Sequence, residues 1–260
     1  MRIKAAVFSE KGKIRNINQD NFCIFNKINQ DNSNACRYSN LFPRNNEIFA
    51  VFDGMGGEQS GEVASMLAAK IFLNNKKNIE NDFDKFIKTY IEEANKKLCE
   101  YMEEKDDLTM GTTAAILQVD TGAKKAYAAN VGDSKIYFIR NGEVTVLTQD
   151  HNIPGELYRM GIIENHEIFT HKDKNKLTQY IGIFDDDILI EPYIAEDVDI
   201  QTDDIFIICS DGLTDGVYPD DFNEIISTEN APSRIAEKLV NKAMQNGSRD
   251  NITVLVVKIV

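Results

Sequence analysis

Phe49-Ala50-Val51-Phe52-Asp53-Gly54-Met55-Gly56-Gly57 is the stretch that decides how this chain folds. An apolar strand ends on an aspartate, and a glycine-rich turn then leads toward a helical pattern that starts near Gly61. A turn without side chains lets bare backbone approach a ligand closely. Taken alone, the motif reads equally well as a tight strand-to-helix connection capped by Asp53.

The same design recurs at Ile205-Phe206-Ile207-Ile208-Cys209-Ser210-Asp211-Gly212. A wholly apolar strand seldom delivers a carboxylate without a partner for it, because burying an uncompensated charge is costly. Around these two blocks, further strand patterns cover Ala5 to Phe8, Phe22 to Phe25, Thr112 to Val119, Lys125 to Val131, Lys135 to Arg140, Glu143 to Leu147 and Ile252 to Val260. Asn141-Gly142 joins two of them as a type I′ hairpin, whose central residues both need positive φ.

Three stretches have helical periodicity instead. Phe83, Phe86, Ile87, Tyr90, Ile91, Ala94, Leu98 and Tyr101 form one apolar stripe. The others run from Gly61 to Leu73 and from Pro232 to Gln245, with Ser233 or its predecessors as cap and Gly247 as terminator. Strands and helices mix without strict alternation, which disfavours a doubly wound parallel sheet. It favours antiparallel sheets covered by helices in layers. Residues 26–47, rich in Asn and Ser, and residues 151–176 read as irregular. With no repeat and no linker, the whole of 1–260 reads as a single domain.

The formal charge of −13, from 42 acidic and 29 basic residues, excludes a broad surface for nucleic acid. The excess acid is either solvated surface or, in part, carboxylates gathered around cations. Cys23, Cys36, Cys99 and Cys209 stand singly, without zinc spacing, and read as reduced thiols of a cytoplasmic protein. No apolar run is long enough for a signal peptide or a membrane span.

Three more aspartates fall at strand ends: Asp20 before the Phe22 strand, Asp133 in Val131-Gly132-Asp133-Ser134, and Asp250 in Gly247-Ser248-Arg249-Asp250-Asn251. Singly, Asp133 and Asp250 read as turn residues. Together with Asp53 and Asp211 they make the oxygen-rich set, drawn from separate elements, that hard cations select.

In this order the blocks resemble the metal-dependent (type 2C, magnesium- or manganese-dependent) serine/threonine protein phosphatases, the compact bacterial members above all. The resemblance extends to Gly111-Thr112-Thr113, Leu147-Thr148-Gln149-Asp150-His151, Leu177-Thr178-Gln179-Tyr180-Ile181-Gly182 and Asp203-Asp204, essentially the whole length. It implies a four-layer α-β-β-α sandwich with two central antiparallel sheets and a metal site at one edge. It also implies hydrolysis of phosphoserine and phosphothreonine in proteins.

The resemblance implies two Mn2+ or Mg2+ ions, with a place for a third. Asp53 would bridge two of them, Asp211 and Asp250 would complete the first site, and the Gly54 carbonyl would serve the second. Asp20 would ligate there or orient water. Asp133 would help hold the third ion with Asp211, and Arg15 would grip the substrate phosphate. A guanidinium presents forked donors to phosphate oxygens, and paired cations can clamp an in-line displacement by water, so no nucleophilic side chain is needed.

Two positions depart from the family pattern. Gln19 stands where many relatives have glutamate, and Met55 where eukaryotic members have a histidine proposed to protonate the leaving group. That proton would then come from water. His151, His166 and His171 read as structural. The 151–176 segment corresponds to the family's variable flap and is the element expected to discriminate among protein substrates. The resemblance further implies a bacterial Ser/Thr kinase and its targets as partners, and a monomer with no membrane partner. The competing readings are a catalytically silent binding module, which should have lost Asp53, Asp211 or Asp250, and a phosphatase for other phosphorylated regulators.

Overall fold

The computed structural model describes the chain except residues 32–34, 43–45, 57–59, 80–81, 106–108, 169 and 185–188. Gly57, the last residue of the first motif, and Pro43 lie outside the described residues.

The chain opens with strands β1 (Ile3–Glu10), β2 (Asp20–Ile24), β3 (Lys27–Ile28), β4 (Cys36–Phe42) and β5 (Asn46–Gly56). Helices α1 (Gly61–Asn75) and α2 (Phe83–Glu103) follow, joined through a 3-10 turn at Lys76–Asn78. Next come β6 (Met110–Thr112), β7 (Ala114–Asp120), β8 (Lys125–Val131), β9 (Lys135–Arg140) and β10 (Glu143–Val146). Short elements α3 (Ile153–Arg159), α4 (Asn165–Ile168), β11 (Tyr193–Ile194) and β12 (Val198–Asp199) lead to β13 (Ile205–Cys209) and α5 (Asp211–Thr214). Helices α6 (Pro219–Thr228) and α7 (Pro232–Gln245) and strand β14 (Ile252–Ile259) complete it.

The described strands form two antiparallel sheets. One has six strands in the order β10-β9-β13-β14-β1-β4; the other has eight, along β11-β8-β7-β5-β2-β3, with β12 on β8 and β6 on β5. Phe22, Phe49, Val51, Leu117, Phe206, Ile208, Leu255 and Val257 fill the space between the sheets. Ala64, Ala68, Phe72, Ile87, Tyr90 and Leu98 press α1 and α2 onto the eight-stranded sheet. Leu213, Phe222, Ile235, Leu239 and Ala243 press α5, α6 and α7 onto the six-stranded one. The result is the expected α-β-β-α sandwich.

The central strands need burial on both faces, which explains why β13 reads as an unbroken apolar run with all five residues buried. Each large side chain so buried contributes roughly 1.5–3 kcal/mol. The β9–β10 hairpin turns through Asn141 (φ 53°) and Gly142 (φ 81°), both positive as the I′ reading requires. Along α2, Ile87, Tyr90, Ile91, Ala94 and Leu98 are buried, while Phe86 and Tyr101 of the predicted stripe are only partly covered.

Four expectations need correction. Residues 26–47 are not irregular throughout: Cys36–Phe42 is a strand at the outer edge of the six-stranded sheet, paired with β1 from Ile3↔Phe42 to Ser9↔Cys36. An edge strand has one side open to water and so needs no apolar alternation. Residues 151–176 contain α3, capped by the Asn152 side chain on the Gly155 N–H at 2.9 Å, and α4. Helix α7 is preceded by Ala231 and has no side-chain cap, so Ser233 does not fill that role; Pro232 at its first position supplies a preset φ instead. Helix α6 was not anticipated; its short apolar set, Phe222 and Ile225, falls below a full helical stripe.

Candidate metal centre

The inner strands of both sheets end at one place. In the β2–β5 ladder Asp20 stands directly opposite Asp53. Asp211 begins α5 at the end of β13, and Asp250 precedes β14, the neighbour of β13. Each aspartate is therefore delivered by a strand whose position the sheet hydrogen bonds fix.

Backbone and hydroxyl contacts hold these strand ends. The Asp53 N–H donates to Thr113 Oγ1 at 3.0 Å, and the Asp53 carbonyl accepts from Thr112 Oγ1 and from the Thr113 N–H, both at 2.9 Å. Gly54 donates its N–H to the Gln19 carbonyl at 3.2 Å. A Cβ on Gly54 would strike the Gly61 carbonyl oxygen, and one on Gly61 would lie 2.7 Å from the Gly54 oxygen, so both positions require glycine.

Asp20 is fully buried. Its Oδ2 accepts from Ser210 Oγ at 2.7 Å, while Oδ1 has no partner among the described residues. Beneath it, Ser9 and Thr253 share a 2.7 Å hydroxyl bond, and Asn18 donates to Ser9 Oγ at 2.8 Å. Asp211 likewise leaves Oδ1 without a partner. Asp250 accepts from Arg15 Nη2 at 2.7 Å, and the Arg15 side chain is half exposed.

Asp20, Asp53, Asp133 and Asp211 resist ionisation. Burial, opposed by the Ser210 and Thr253 hydroxyls and reinforced by Asp250, pushes Asp20 up to about 7. Loss of surrounding water, and then repulsion from Asp20, Asp211, Asp250 and Asp133, holds Asp53 well above the usual carboxylate range. Burial and the charges of Asp133, Asp250, Asp215 and Asp20 do the same to Asp211. Asp133 rises to about 6 through burial and repulsion from Asp150, opposed by Lys135 and Asn152. Mutual repulsion among five carboxylates places them within electrostatic reach of one another.

Such a set fits divalent cations. Among the described residues two buried carboxylate oxygens lack donors, the surrounding charge is mostly negative with Arg15 on Asp250 and Lys135 near Asp133 opposing it, and oxygen donors suit Mg2+ and Mn2+. Among the described residues no three carboxylate, imidazole or thiol groups alone are arranged around one ion. The three carboxylates implied for the first site, Asp53, Asp211 and Asp250, are therefore not closed around one point in this structure, and water and substrate oxygens would have to fill out the coordination.

Several residues of the site lay outside the expectations. Asn251 accepts from the Gln19 N–H at 2.8 Å and donates to the Lys11 and Ile17 carbonyls at 2.9 and 3.0 Å, tying down the loop that carries Arg15. Thr113, Ser210 and Ser9 act similarly on the strand ends. Asn251 and Ser210 adjoin motif aspartates, and that adjacency was the available signal. The Gln19 side chain lies 3.3 Å from Glu62 of α1. His151 is buried, accepts from the Gly132 N–H at 3.2 Å, and is pushed down to about 4 by burial and the Arg159 charge, as befits a structural residue. His166 is exposed beside Glu164, and His171 accepts from the Asp173 N–H.

Residues 20–252 match the family model described as Protein phosphatase 2C. This chain belongs to that family. It is 33% identical over 259 residues to the serine/threonine phosphatase stp of Listeria welshimeri, covering 96% of this chain and 93% of that protein. Its fold superposes on the Mycobacterium tuberculosis serine/threonine phosphatase PstP/Ppp with a TM-score of 0.81 at 25% identity, covering 100% and 99% of the two chains. The catalytic domain of PstP in complex with two manganese ions gives a TM-score of 0.80 at 24% identity, covering 100% and 99%.

Proposed function

We propose that this chain hydrolyses phosphoserine and phosphothreonine in proteins at a centre of two Mn2+ or Mg2+ ions held by Asp53, Asp211, Asp250, Asp20 and the Gly54 carbonyl. As a family member it is a protein serine/threonine phosphatase that depends on divalent metal. The observation that carries the finer reading is the carboxylate cluster: Asp20 and Asp211 each hold a buried oxygen with no donor, and Asp53 stands opposite Asp20. When bound, the cations supply an acidified water and neutralise charge on the transferring phosphoryl group.

The residues themselves do the positioning. Thr112 and Thr113 fix the backbone of Asp53, Ser210 aims the Asp20 carboxylate, and Asn251 holds the Arg15 loop. Arg15, half exposed and anchored on Asp250, has donors left over for a substrate phosphate. Asp133 with Asp211 supports a weaker third ion. No side chain is placed as a nucleophile. Met55 has no proton to give, so the leaving oxygen takes its proton from water.

The family's bacterial relatives support a Ser/Thr kinase and its targets as partners. Free cysteines, burial having pushed Cys23 and Cys209 up to about 12, support a reducing cytoplasm. Among the described residues no helix is long and apolar enough to cross a membrane. We read 1–260 as one monomeric domain, which predicts a single cooperative unfolding transition. Retention of all five aspartates speaks against a silent module.

The deciding experiment is phosphate release from a phosphothreonine peptide with added manganese, with and without chelator, in the wild type, Asp53→Asn and Asp211→Asn. Metal-dependent turnover that collapses in both variants supports the centre. A folded wild type that shows no turnover with any divalent metal sinks it.

A further inference from the structure

Residues 153–176 form a flap closed at its base by backbone bonds. The Ile153 N–H donates to the Lys176 carbonyl at 3.1 Å, the Thr178 N–H to the His151 carbonyl at 2.9 Å, and Asn152 bridges Leu177. Arg159 adds a 2.7 Å bond to the Asp150 carbonyl, still at that base. Within the flap, Lys174 and Lys176 donate their N–H groups to His171 and Asp173, so those bonds fold it without attaching it to anything else.

Among the described residues one polar contact reaches across. Lys174 Nζ meets Asp215 Oδ1 at 2.7 Å, with the two side chains 39% and 29% exposed. Asp215 closes α5, the turn that Asp211 opens, and its N–H donates to the Asp211 carbonyl at 3.0 Å. Asp211, Asp133, Asn152 and Asp215 on one side, and Lys174 and Asn175 on the other, line a single cavity. The ion pair therefore sets the width of a cleft with the metal centre as one wall and the flap as the other.

We propose that Lys174 is a positioning residue that latches the flap to α5 and thereby sets affinity for protein substrates without touching the chemistry. The substrate side of this inference rests on the phosphatase reading above. A half-exposed pair is weak and screened by salt, so the latch opens readily. A small aryl phosphate needs only the metal centre and Arg15, whereas a peptide must also lie in the cleft that the flap borders. Loss of the latch therefore raises KM for the peptide and leaves kcat and the small substrate alone. Tyr158, Met160 and Ile162, all exposed on the flap, move with it and supply the apolar contact surface.

The test uses the full chain with manganese and compares Lys174→Arg, Lys174→Ala and Lys174→Glu on a phosphothreonine peptide and on an aryl phosphate, at low and high ionic strength. The expected peptide KM is near wild type for Arg, about two- to fivefold higher for Ala and higher still for Glu, with the aryl phosphate unchanged. Salt should raise the wild-type peptide KM toward that of Lys174→Ala more steeply than it raises the variant's. Equal losses on both substrates, no change in Lys174→Ala, or no rescue by Arg would overturn the latch. Hydrogen exchange over 153–176 reads the latch without catalysis: faster in Ala and Glu, wild-type in Arg. A wild type inactive on both substrates would refute the phosphatase reading, while exchange would still decide the latch.

Discussion

Strand β5 carries a carboxylate near each end, and the two ends treat it in opposite ways. At Glu47 the fold supplies a cation. Lys76, 7% exposed, comes from the turn after α1, stands 3.3 Å from Glu47 and also donates to the Phe25 carbonyl. At Asp53, six residues and roughly 20 Å along the strand, four more aspartates press on the carboxyl, while Arg15 is bonded to Asp250 instead. A fold able to neutralise one buried acid with a lysine gives the other no ion-pair partner of its own among the described residues. On the proposed reading, the unpaired end is where stability is given up for a cation that arrives from solution.

The sharpest way to break this contrast is to neutralise the unpaired end. Asp53→Asn and Asp211→Asn should each lower manganese-dependent turnover by about a hundredfold or more, since even residues behind metal ligands cost ten- to a hundredfold. The same variants should raise the stability of the chelated protein by about 1 kcal/mol, because each removes a charge that its neighbours repel. Urea melts in chelator read the second effect. A variant that loses both activity and apo stability would mean that the aspartate is a structural partner.

At the paired end the sign reverses. Lys76→Met leaves Glu47 buried beside an apolar side chain and should cost about 3–5 kcal/mol of unfolding free energy. Adding Glu47→Leu should recover most of that loss, and a double-mutant cycle in urea measures the coupling. Turnover per folded molecule should stay at the wild-type level in both.

How much of this could be read from residues alone follows from what each signal depends on. Strands buried on both faces, such as Ile205–Cys209, were legible to the residue, because burial leaves only apolar side chains. The edge strand Cys36–Phe42 was not, since its open side imposes no pattern. That the five aspartates lie at strand ends was legible because each adjoins an apolar run, Asp53 and Asp211 with glycine behind them. Asn251 and Thr113 were not legible as positioners, because their work consists of hydrogen bonds to Gln19, Lys11 and Asp53, residues far away in sequence. Nothing in the sequence around Lys76 marks it as buried; only the packing of α1 on β5 makes it a counter-ion.

Acid provides a third contrast, with the sign set by the metal. In the chelated protein Asp20 (about 7) and Asp133 (about 6) lie above the ordinary 3.8, so the native state holds protons that the unfolded chain has released. Stability should therefore rise as pH falls from 7 toward 5. His151 works oppositely: depressed to about 4 from 6.5, it stays neutral in the native state while the unfolded chain takes up a proton below 6.5, so stability falls as pH drops. In the chelated protein the aspartates outnumber this one histidine. With manganese bound they stay ionised and His151 dominates. The slope of unfolding free energy against pH between 7 and 5 should invert on metal loading, by about 1.4 kcal/mol per pH unit for each net proton. Parallel slopes with and without metal would remove the aspartates as ligands.

The smallest expected effect lies at the surface. Lys97 and Glu100 on α2 form an ion pair at 2.7 Å, closer than Lys76 and Glu47 at 3.3 Å, yet both side chains are about half exposed. Water already solvates each charge, so the shorter distance gains little, and removal of either partner leaves no buried charge behind. Lys97→Met should leave the melting temperature within measurement error of wild type, where Lys76→Met lowers it by many degrees. Distance alone would rank the two pairs the other way. If Lys97→Met were as damaging as Lys76→Met, burial could not be what separates the two ends of β5.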